Sequence, residues 1–423
     1  MEVTEMTQIR QYLESHIDDM TALLRELVAV PSVQGDAEEG FPFGREPARA
    51  LEIMMRECRK AGFDVENVEN YAGSADINSL EAQLAVLTHL DVVPAGDGWS
   101  SPPFELTQVG DKLVGRGTID DKGPAVAAFF AAKAVKELGI PLKKGVRLIF
   151  GTNEENGSAD LAYYRSKRTL PPMVFTPDGE YPVINAEKGM LRVYFSAKYS
   201  GIPVRGGTVI NAVPAVCSDD ADDYFGRSAH ASTPEKGENA ITKFLDIQGN
   251  LHPLLNNLSE LFPHGEFNGR SCGLGFRDDI SGDMTCVLSM LNARDGRLCG
   301  GIDIRFPLDR TKAEISGIIC EKLRSAGFEI DSCEGVEPHC TDENSTFVQA
   351  LLKTYERVTG KNGRCIAIGG GTYVHEIEGG VAFGAEFPGE DGHMHSPDEF
   401  ITVGNLLKNA EIMAEAIAEI CGQ

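Results

Sequence analysis

Three short strings place imidazole or carboxylate groups directly after apolar runs. Leu84 to Thr88 runs into His89-Leu90-Asp91, Val146 to Gly151 into Thr152-Asn153-Glu154-Glu155, and Met173 to Thr176 into Pro177-Asp178. Residues two apart on an extended chain point to the same side, so Asp91 is placed to accept a hydrogen bond from the ring nitrogen that His89 does not use elsewhere. Adjacent carboxylates such as Glu154 and Glu155 repel each other unless cations are near. Beside a metal ion, one can bind it while the other takes a proton from metal-bound water. Two further strings add donors: Asp120-Asp121 before the helix-like run that starts at Pro124, and Gly392-His393-Met394-His395, with two of the nine histidines.

Taken singly, each string has a plainer explanation. His-x-Asp is most often an ordinary loop pairing, two acids before a helix are caps favoured by its dipole, and a Glu-Glu pair is surface charge. Their joint placement is the signal. Together His89, Asp120, Glu155, Asp178 and His395 offer two imidazoles and three carboxylates. Two divalent ions would be charge-balanced by three carboxylates and one hydroxide, and a single zinc takes only about four ligands, so the set fits a pair of closely spaced ions.

These residues need a scaffold that brings distant strings to one rim. The apolar runs at 84–88, 146–151, 173–176 and 381–385 read as strands, and Pro124 to Leu138 reads as a helical crossover between the first two. In an open, mostly parallel sheet, ligands bind beyond the carboxyl ends of strands, where all three exits would meet. Ile9 to Val30, ending at Pro31, and Arg45 to Ala61, ending at Gly62, read as surface helices. A hairpin is expected over Phe104 to Gly115, turning at Gly110-Asp111. The middle of the chain reads as a second αβ block: strands Met190 to Lys198, Thr285 to Leu291 and Gly301 to Phe306, with helices Glu238 to Leu258 and Arg310 to Ala326. The first pattern resumes with helix Ser345 to Thr359, strand Arg364 to Ile368 and helix Asn405 to Cys421. The expected division is therefore residues 1–187 with 338–423 as one domain, and 188–337 as a domain-sized insertion.

Composition narrows the partners. The chain has 423 residues, 42% of them hydrophobic, with 64 acidic against 39 basic residues and a net charge of -25. That balance opposes phosphate backbones and anionic lipid, so neither nucleic acid nor a membrane is expected as a partner. No apolar run approaches the roughly 18 residues of a membrane span, and the acidic, helical start does not read as a signal peptide. Ten cysteines without a Cys-x-x-Cys pair point to reduced thiols in a cytoplasm. The run Gly369-Gly370-Gly371-Thr372 follows a strand and could aim backbone N–H groups at a carboxylate or phosphate, but Gly-x-Gly-x-x-Gly and Gly-Lys-Ser/Thr patterns are missing. A serine-hydrolase elbow, Gly-x-Ser-x-Gly, is missing as well.

The strings His89-Leu-Asp-Val-Val-Pro-Ala-Gly-Asp-Gly-Trp99, Gly115-Arg-Gly-Thr-Ile-Asp-Asp-Lys-Gly-Pro124, Gly151-Thr-Asn-Glu-Glu155, Thr176-Pro-Asp-Gly-Glu-Tyr-Pro182 and Gly369-Gly-Gly-Thr-Tyr373 occur in one order along nearly the whole chain. In this the sequence resembles the M20 family of di-zinc metallopeptidases, and within it the bacterial dipeptidase branch. The resemblance implies an α/β fold: a zinc-peptidase-like catalytic domain, with a mixed, mostly parallel sheet flanked by helices, interrupted by an inserted α+β lid. It makes His89 and Asp178 ligands of one zinc, Glu155 and His395 ligands of the other, and Asp120 the bridge, with manganese or cobalt as substitutes. Asp91 would orient His89. Glu154 would be the general base that deprotonates the bridging water, whose hydroxide attacks the scissile amide, and would hand the proton to the leaving amine. In the lid, His230 of Gly226-Arg-Ser-Ala-His-Ala-Ser-Thr-Pro234 would help the oxyanion. Asn211 and Arg305 would hold substrate, Arg305 by a bidentate grip on a carboxylate, alongside Gly370 and Gly371.

The implied activity is hydrolysis of unblocked dipeptides. The alternatives are an N-acyl amino acid deacylase or desuccinylase using the same centre, and a catalytically silent metal-binding protein. Two positions depart from the family pattern: Asn153, where an acid is common, and His375, where this branch often has arginine. The lid is also somewhat short for the branch. A lid of this branch supplies internally what dimeric relatives take from a partner subunit, so a monomer is expected, with a dimer as the alternative.

Overall fold

The computed structural model describes residues 3–422. The chain divides into two units, one of residues 1–185, 341–366 and 372–423, the other of residues 186–340 and 367–371. The exchange points fall at 185/186 and 340/341. The short segment 367–371 groups with the second unit instead, because Lys188 N donates to Ile368 O and Arg305 Nη1 donates to Gly369 O at 3.0 Å.

The first unit is built on a mixed sheet in the order Asp64–Val68, Ala72–Asp76, Gly145–Gly151, Ala82–His89, Met173–Thr176, Val381–Ala382 and Val183–Glu187. The middle strands, Gly145–Gly151, Ala82–His89, Met173–Thr176 and Val381–Ala382, are parallel neighbours, and the flanking pairings are antiparallel. Both faces are covered. Leu84 and Val86 pack with Val146, Leu148 and Phe150 in one apolar cluster, whereas Ala85, Leu87, Ile149 and Val174 pack in another. A strand buried on both sides needs an unbroken apolar run rather than alternation, which is why these segments read so plainly. The larger cluster is filled by the helices Lys122–Glu137, Thr346–Thr359 and Val403–Cys421. The helix Lys122–Glu137 is alanine-rich and buried around nearly its whole circumference, with Pro124 tolerated in its first turn. The hairpin forms with strands Thr107–Val109 and Lys112–Val114.

Two expected helices are interrupted. The stretch 9–30 is split into helices Val3–Ser15 and Ile17–Val28, because Ser15 Oγ and His16 Nδ1 both bond the carbonyl of Tyr12 and compete with the helical ladder. The stretch 238–258 becomes helices Ala240–Gln248 and Pro253–Leu261. Pro253 has no N–H to donate and holds His252 extended, at φ -153 and ψ 137.

The second unit is an antiparallel sheet of seven strands, ordered Asp223–Phe225, Val216–Ser218, Arg205–Gly206, Thr285–Arg294, Arg297–Phe306, Gly189–Lys198 and Glu329–Val336. Phe195, Leu288, Ile302 and Ile304 of its strands pack against Phe244, Leu258 and Ile319 of its helices. Among the described residues, no helix is long and apolar enough to cross a membrane, and none of the ten cysteines is in a disulfide.

Candidate metal centre

The parallel pairing sets the register of the donors. His89 ends its strand opposite Gly151, Glu154 and Glu155 form a short turn three residues beyond Gly151, and Asp178 lies just past Met173–Thr176. Asp120 and Asp121 precede the helix Lys122–Glu137, with a cis peptide between them. His395 reaches the same place from the loop after Val381–Ala382, with a positive φ of 57.

His89 Nε2 is 3.0 Å from Asp120 Oδ1 and 3.7 Å from Asp178 Oδ2. His395 Nε2 is 2.7 Å from Asp120 Oδ2 and 3.1 Å from Glu155 Oε2. Asp120 thus turns one oxygen to each histidine. A Glu154 oxygen lies within 4.8 Å of donor atoms of His89 and Asp178, and a Glu155 oxygen within the same distance of donor atoms of His89 and Asp120. All five ligand candidates, with Glu154 and Asp91, are therefore gathered in the first unit.

The residues fit divalent metal. His89 is completely buried, and its Nε2, although 3.0 Å from Asp120 Oδ1, makes no well-aligned hydrogen bond. A buried ring nitrogen that faces carboxylates without a well-aligned hydrogen bond is better satisfied when a cation takes its lone pair. The donor set, imidazoles with carboxylates and no thiolate, suits zinc, manganese or cobalt. Electrostatics agree. Burial by itself would lower the affinity of His89 for protons, but Asp120, Asp178 and Asp91 outweigh it and raise it well above its ordinary value. His395 is carried up to about 11, burial being outweighed by Asp120 and Glu155. Burial pushes Glu155 up to about 7, Asp120 adding to the push and His395 opposing it. Burial also raises Glu154 well above the usual carboxylate range, opposed by His89 and reinforced by Asp178 and Glu155. Asp120 is held down by the two histidines against its burial. Without cations the two histidines, Glu154 and Glu155 retain protons that a metal would displace.

The supports are specific. His89 Nδ1 is 3.0 Å from the backbone carbonyl of Asp91 and 3.5 Å from its carboxylate, so the Asp91 main chain makes the closer contact with the ring. The Asp91 carboxylate instead accepts the N–H groups of Glu154 and Glu155, each at 3.1 Å. Asp121 Oδ2 accepts His89 N at 3.0 Å. Glu399 Oε1 accepts Ile119 N at 3.0 Å and Asp120 N at 3.3 Å, while its other oxygen takes Arg116 Nη1 at 2.6 Å. Arg116 is also held by the carbonyl of Ala95 and lies over the Trp99 ring. Lys122 Nζ ties down the end of helix Ile17–Val28 through the carbonyls of Leu27 and Val30. Sequence reasoning missed Glu399 and Arg116 as supports. Arg116 lies within a string already singled out and Glu399 four residues past His395, and a charged residue in a glycine-rich or turn-like stretch was the available sign. Asn153, the departure from the pattern, donates to Gln34 Oε1 at 3.0 Å.

The second unit collects its own group. Ala212 and His230 are opposite each other on paired strands, which brings Asn211 beside that pair. His230 Nδ1 lies 2.6 Å from Ser232 Oγ, and Ser232 packs on Gly369. Arg305 is buried, with Nε and Nη2 donating to Asp303 at 2.6 and 3.1 Å and Nη1 to Gly369 O at 3.0 Å. Three of its five N–H groups are thereby engaged, which leaves two for a further acceptor. Gly370 has open space where a side chain would be, with only Ile368 Cδ1 nearby at 3.9 Å. His375 stands in the short turn Tyr373–Glu376 of the first unit.

Comparison with known proteins follows the same lines. The model of peptidase family M20/M25/M40 matches residues 85–419. The chain is 32% identical to a Beta-Ala-Xaa dipeptidase of Lactobacillus delbrueckii subsp. lactis, over 97% of this chain and 98% of that protein. It is 31% identical to the putative dipeptidase YtjP of Bacillus subtilis, over 95% and 97%. Among solved structures, human carnosine dipeptidase 1 superposes with a TM-score of 0.69 at 18% identity, covering 99% of each chain. The YXEP protein of Bacillus subtilis, described as a dinuclear metal binding peptidase, gives 0.57 at 12%, covering 97% of this chain and 99% of that one; at these identities both show the fold.

Proposed function

The chain belongs to peptidase family M20/M25/M40, and from that premise we propose that it is a zinc-dependent dipeptidase that cleaves unblocked dipeptides. The observation that carries the reading is Asp120 facing two histidines, one oxygen to each, with a Glu154 oxygen within 4.8 Å of donor atoms of His89 and Asp178. The names of the relatives, two of them dipeptidases over nearly their full length, support the substrate class.

His89, Asp178 and one oxygen of Asp120 would hold one zinc, and Glu155, His395 and the other oxygen would hold the second. Two such ions would polarise the scissile carbonyl and acidify a water. Glu154, its affinity for protons raised by burial, is suited to take a proton from that water and return it to the departing amine. Asp91 fixes the backbone of both glutamates and the ring of His89. His230 would help stabilise the oxyanion. Asn211, Gly370, Gly371 and the two N–H groups that Arg305 has to spare would hold the ends of the dipeptide. Ten cysteines with no disulfide among them fit a reducing compartment, the cytoplasm, and the enzyme is read as a monomer.

Steady-state hydrolysis of a dipeptide panel beside N-acetyl and N-succinyl amino acids, with zinc content per chain, tests the proposal. Turnover of free dipeptides with two zinc ions per chain is the expected result. Turnover of the acylated compounds alone would make the protein a deacylase, and no turnover with metal bound would make it a binding protein.

A further inference from the structure

Four consecutive backbone N–H groups, from Thr152 to Glu155, donate to two buried carboxylates. Asp160 Oδ2 accepts Thr152 N at 2.6 Å and Asn153 N at 2.8 Å, and Asp91 accepts Glu154 N and Glu155 N, each at 3.1 Å. Asp160 is fully buried. It survives there because its other oxygen takes Leu161 N at 2.6 Å and the hydroxyl of Tyr373 donates to Oδ2, so the charge is met by donors on every side. Tyr373, itself buried, also lays its ring edge-on against His89, with centroids 5.9 Å apart at 82°. The approach depends on Gly151, the register partner of His89. A Cβ at Gly151 would stand 1.9 Å from the Tyr373 hydroxyl and 2.5 Å from Asp160 Oδ2.

We propose that Asp160 and Tyr373 are positioning residues of the metal centre, which set the segment carrying Glu154 and Glu155 against the imidazole of His89. One tyrosine touches both halves, its ring on a ligand of one metal position and its hydroxyl on the carboxylate that fixes the backbone leading to a ligand of the other. Neither residue touches reacting atoms. The inference rests on the dipeptidase reading for its kinetic arm and on the donor geometry alone for its metal-binding arm. Holding a ligand-bearing backbone by charge-assisted hydrogen bonds keeps its carboxylates in place before the ions arrive, and outer partners of this kind are worth roughly ten- to a hundredfold in metal affinity or activity.

The test uses the full chain and its variants Tyr373→Phe, which keeps the ring and loses the hydroxyl, and Asp160→Asn. Metal-free protein is titrated with zinc in a calorimeter, and dipeptide kinetics are measured on the zinc-loaded enzyme. Tyr373→Phe should keep its melting temperature within a few degrees and its KM within about twofold, while kcat and the weaker zinc affinity each fall at least about tenfold. Asp160→Asn should move both in the same direction and further. Wild-type zinc affinities together with wild-type kcat in Tyr373→Phe would overturn the proposal, as would a loss of kcat no larger than the loss of folded protein. If the unmodified enzyme cleaves no dipeptide, the dipeptidase reading fails by itself. The zinc titration then decides the positioning: equal affinities in wild type and Tyr373→Phe reject it, and a tenfold loss upholds it.

Discussion

His395 Nε2 lies 2.7 Å from Asp120 Oδ2, although the two residues come from segments of the first unit on either side of the second unit's sequence. His89 occupies the other oxygen of the same carboxylate. A side chain so shared should be indispensable to both metal positions. Asp120→Ala is expected to bind fewer than two zinc ions per chain and to lose kcat/KM by at least about a thousandfold, since the chemistry depends on both ions. Elemental analysis of the purified variant beside dipeptide kinetics checks it.

Glu154 has an oxygen within 4.8 Å of donor atoms of His89 and Asp178 and is assigned no metal. Glu154→Gln keeps the shape and removes the base. Its kcat should fall by about a hundred- to ten-thousandfold with KM and zinc content little changed. A variant that retained full turnover would remove Glu154 from the proton path.

Zinc uptake should release protons and strengthen as pH rises. His395 is carried up to about 11 and Glu155 is pushed up to about 7, so in the metal-free protein both hold protons at pH 6 that the ion must displace. The sign is therefore weaker binding in acid, with affinity rising by about tenfold per pH unit for each proton released. Calorimetric titrations in buffers of different ionisation enthalpy measure the count, and a value of zero near neutrality would contradict the proton load described here.

Removing the metal should soften the first unit. The centre crowds Asp91, Asp120, Asp121, Glu155 and Asp178 into a nearly dry space, and a ligand present at a thousand times its dissociation constant stabilises by about 4 kcal/mol. Chelation should therefore lower the melting temperature by roughly 10 °C, and added zinc should restore it.

The pair Arg116 and Glu399 makes a different prediction, about folding. Both are buried, 2.6 Å apart, and Glu399 also carries the N–H groups of Ile119 and Asp120. Arg116→Met strands a carboxylate in the interior, so unfolding in denaturant should show a loss of about 3–5 kcal/mol. Replacing both partners together should cost less than that.

Three of the five candidate ligands, His89, Glu155 and Asp178, were legible because each lies just past an apolar run, and runs buried on both faces of a parallel sheet stand out in sequence; Asp120 and His395, in turn-like strings, were marked by their residue types alone. The lid residues were a different matter: nothing in the local spacing of Asn211, His230 or Arg305 marks them, and only the resemblance named them. Asp160 was illegible for a physical reason. An acid in the first turn of helix Ala159–Lys167 looks like an ordinary dipole-favoured residue, and its bonds to Thr152, Asn153 and Tyr373 exist only after folding. The same holds for the helix break at His16, where side chains compete for one carbonyl, and for the segment 367–371, whose grouping with the second unit comes from hydrogen bonds to Lys188 and Arg305 across long stretches of chain.

The central claim is that one carboxylate, Asp120, is shared between two metal ions. Anomalous diffraction from zinc-soaked crystals tests it most directly. Two zinc peaks about 3.5–4 Å apart are expected, one within bonding distance of Asp120 Oδ1 and His89 and the other of Asp120 Oδ2 and His395. A single peak, or two peaks of which neither touches Asp120, would contradict it.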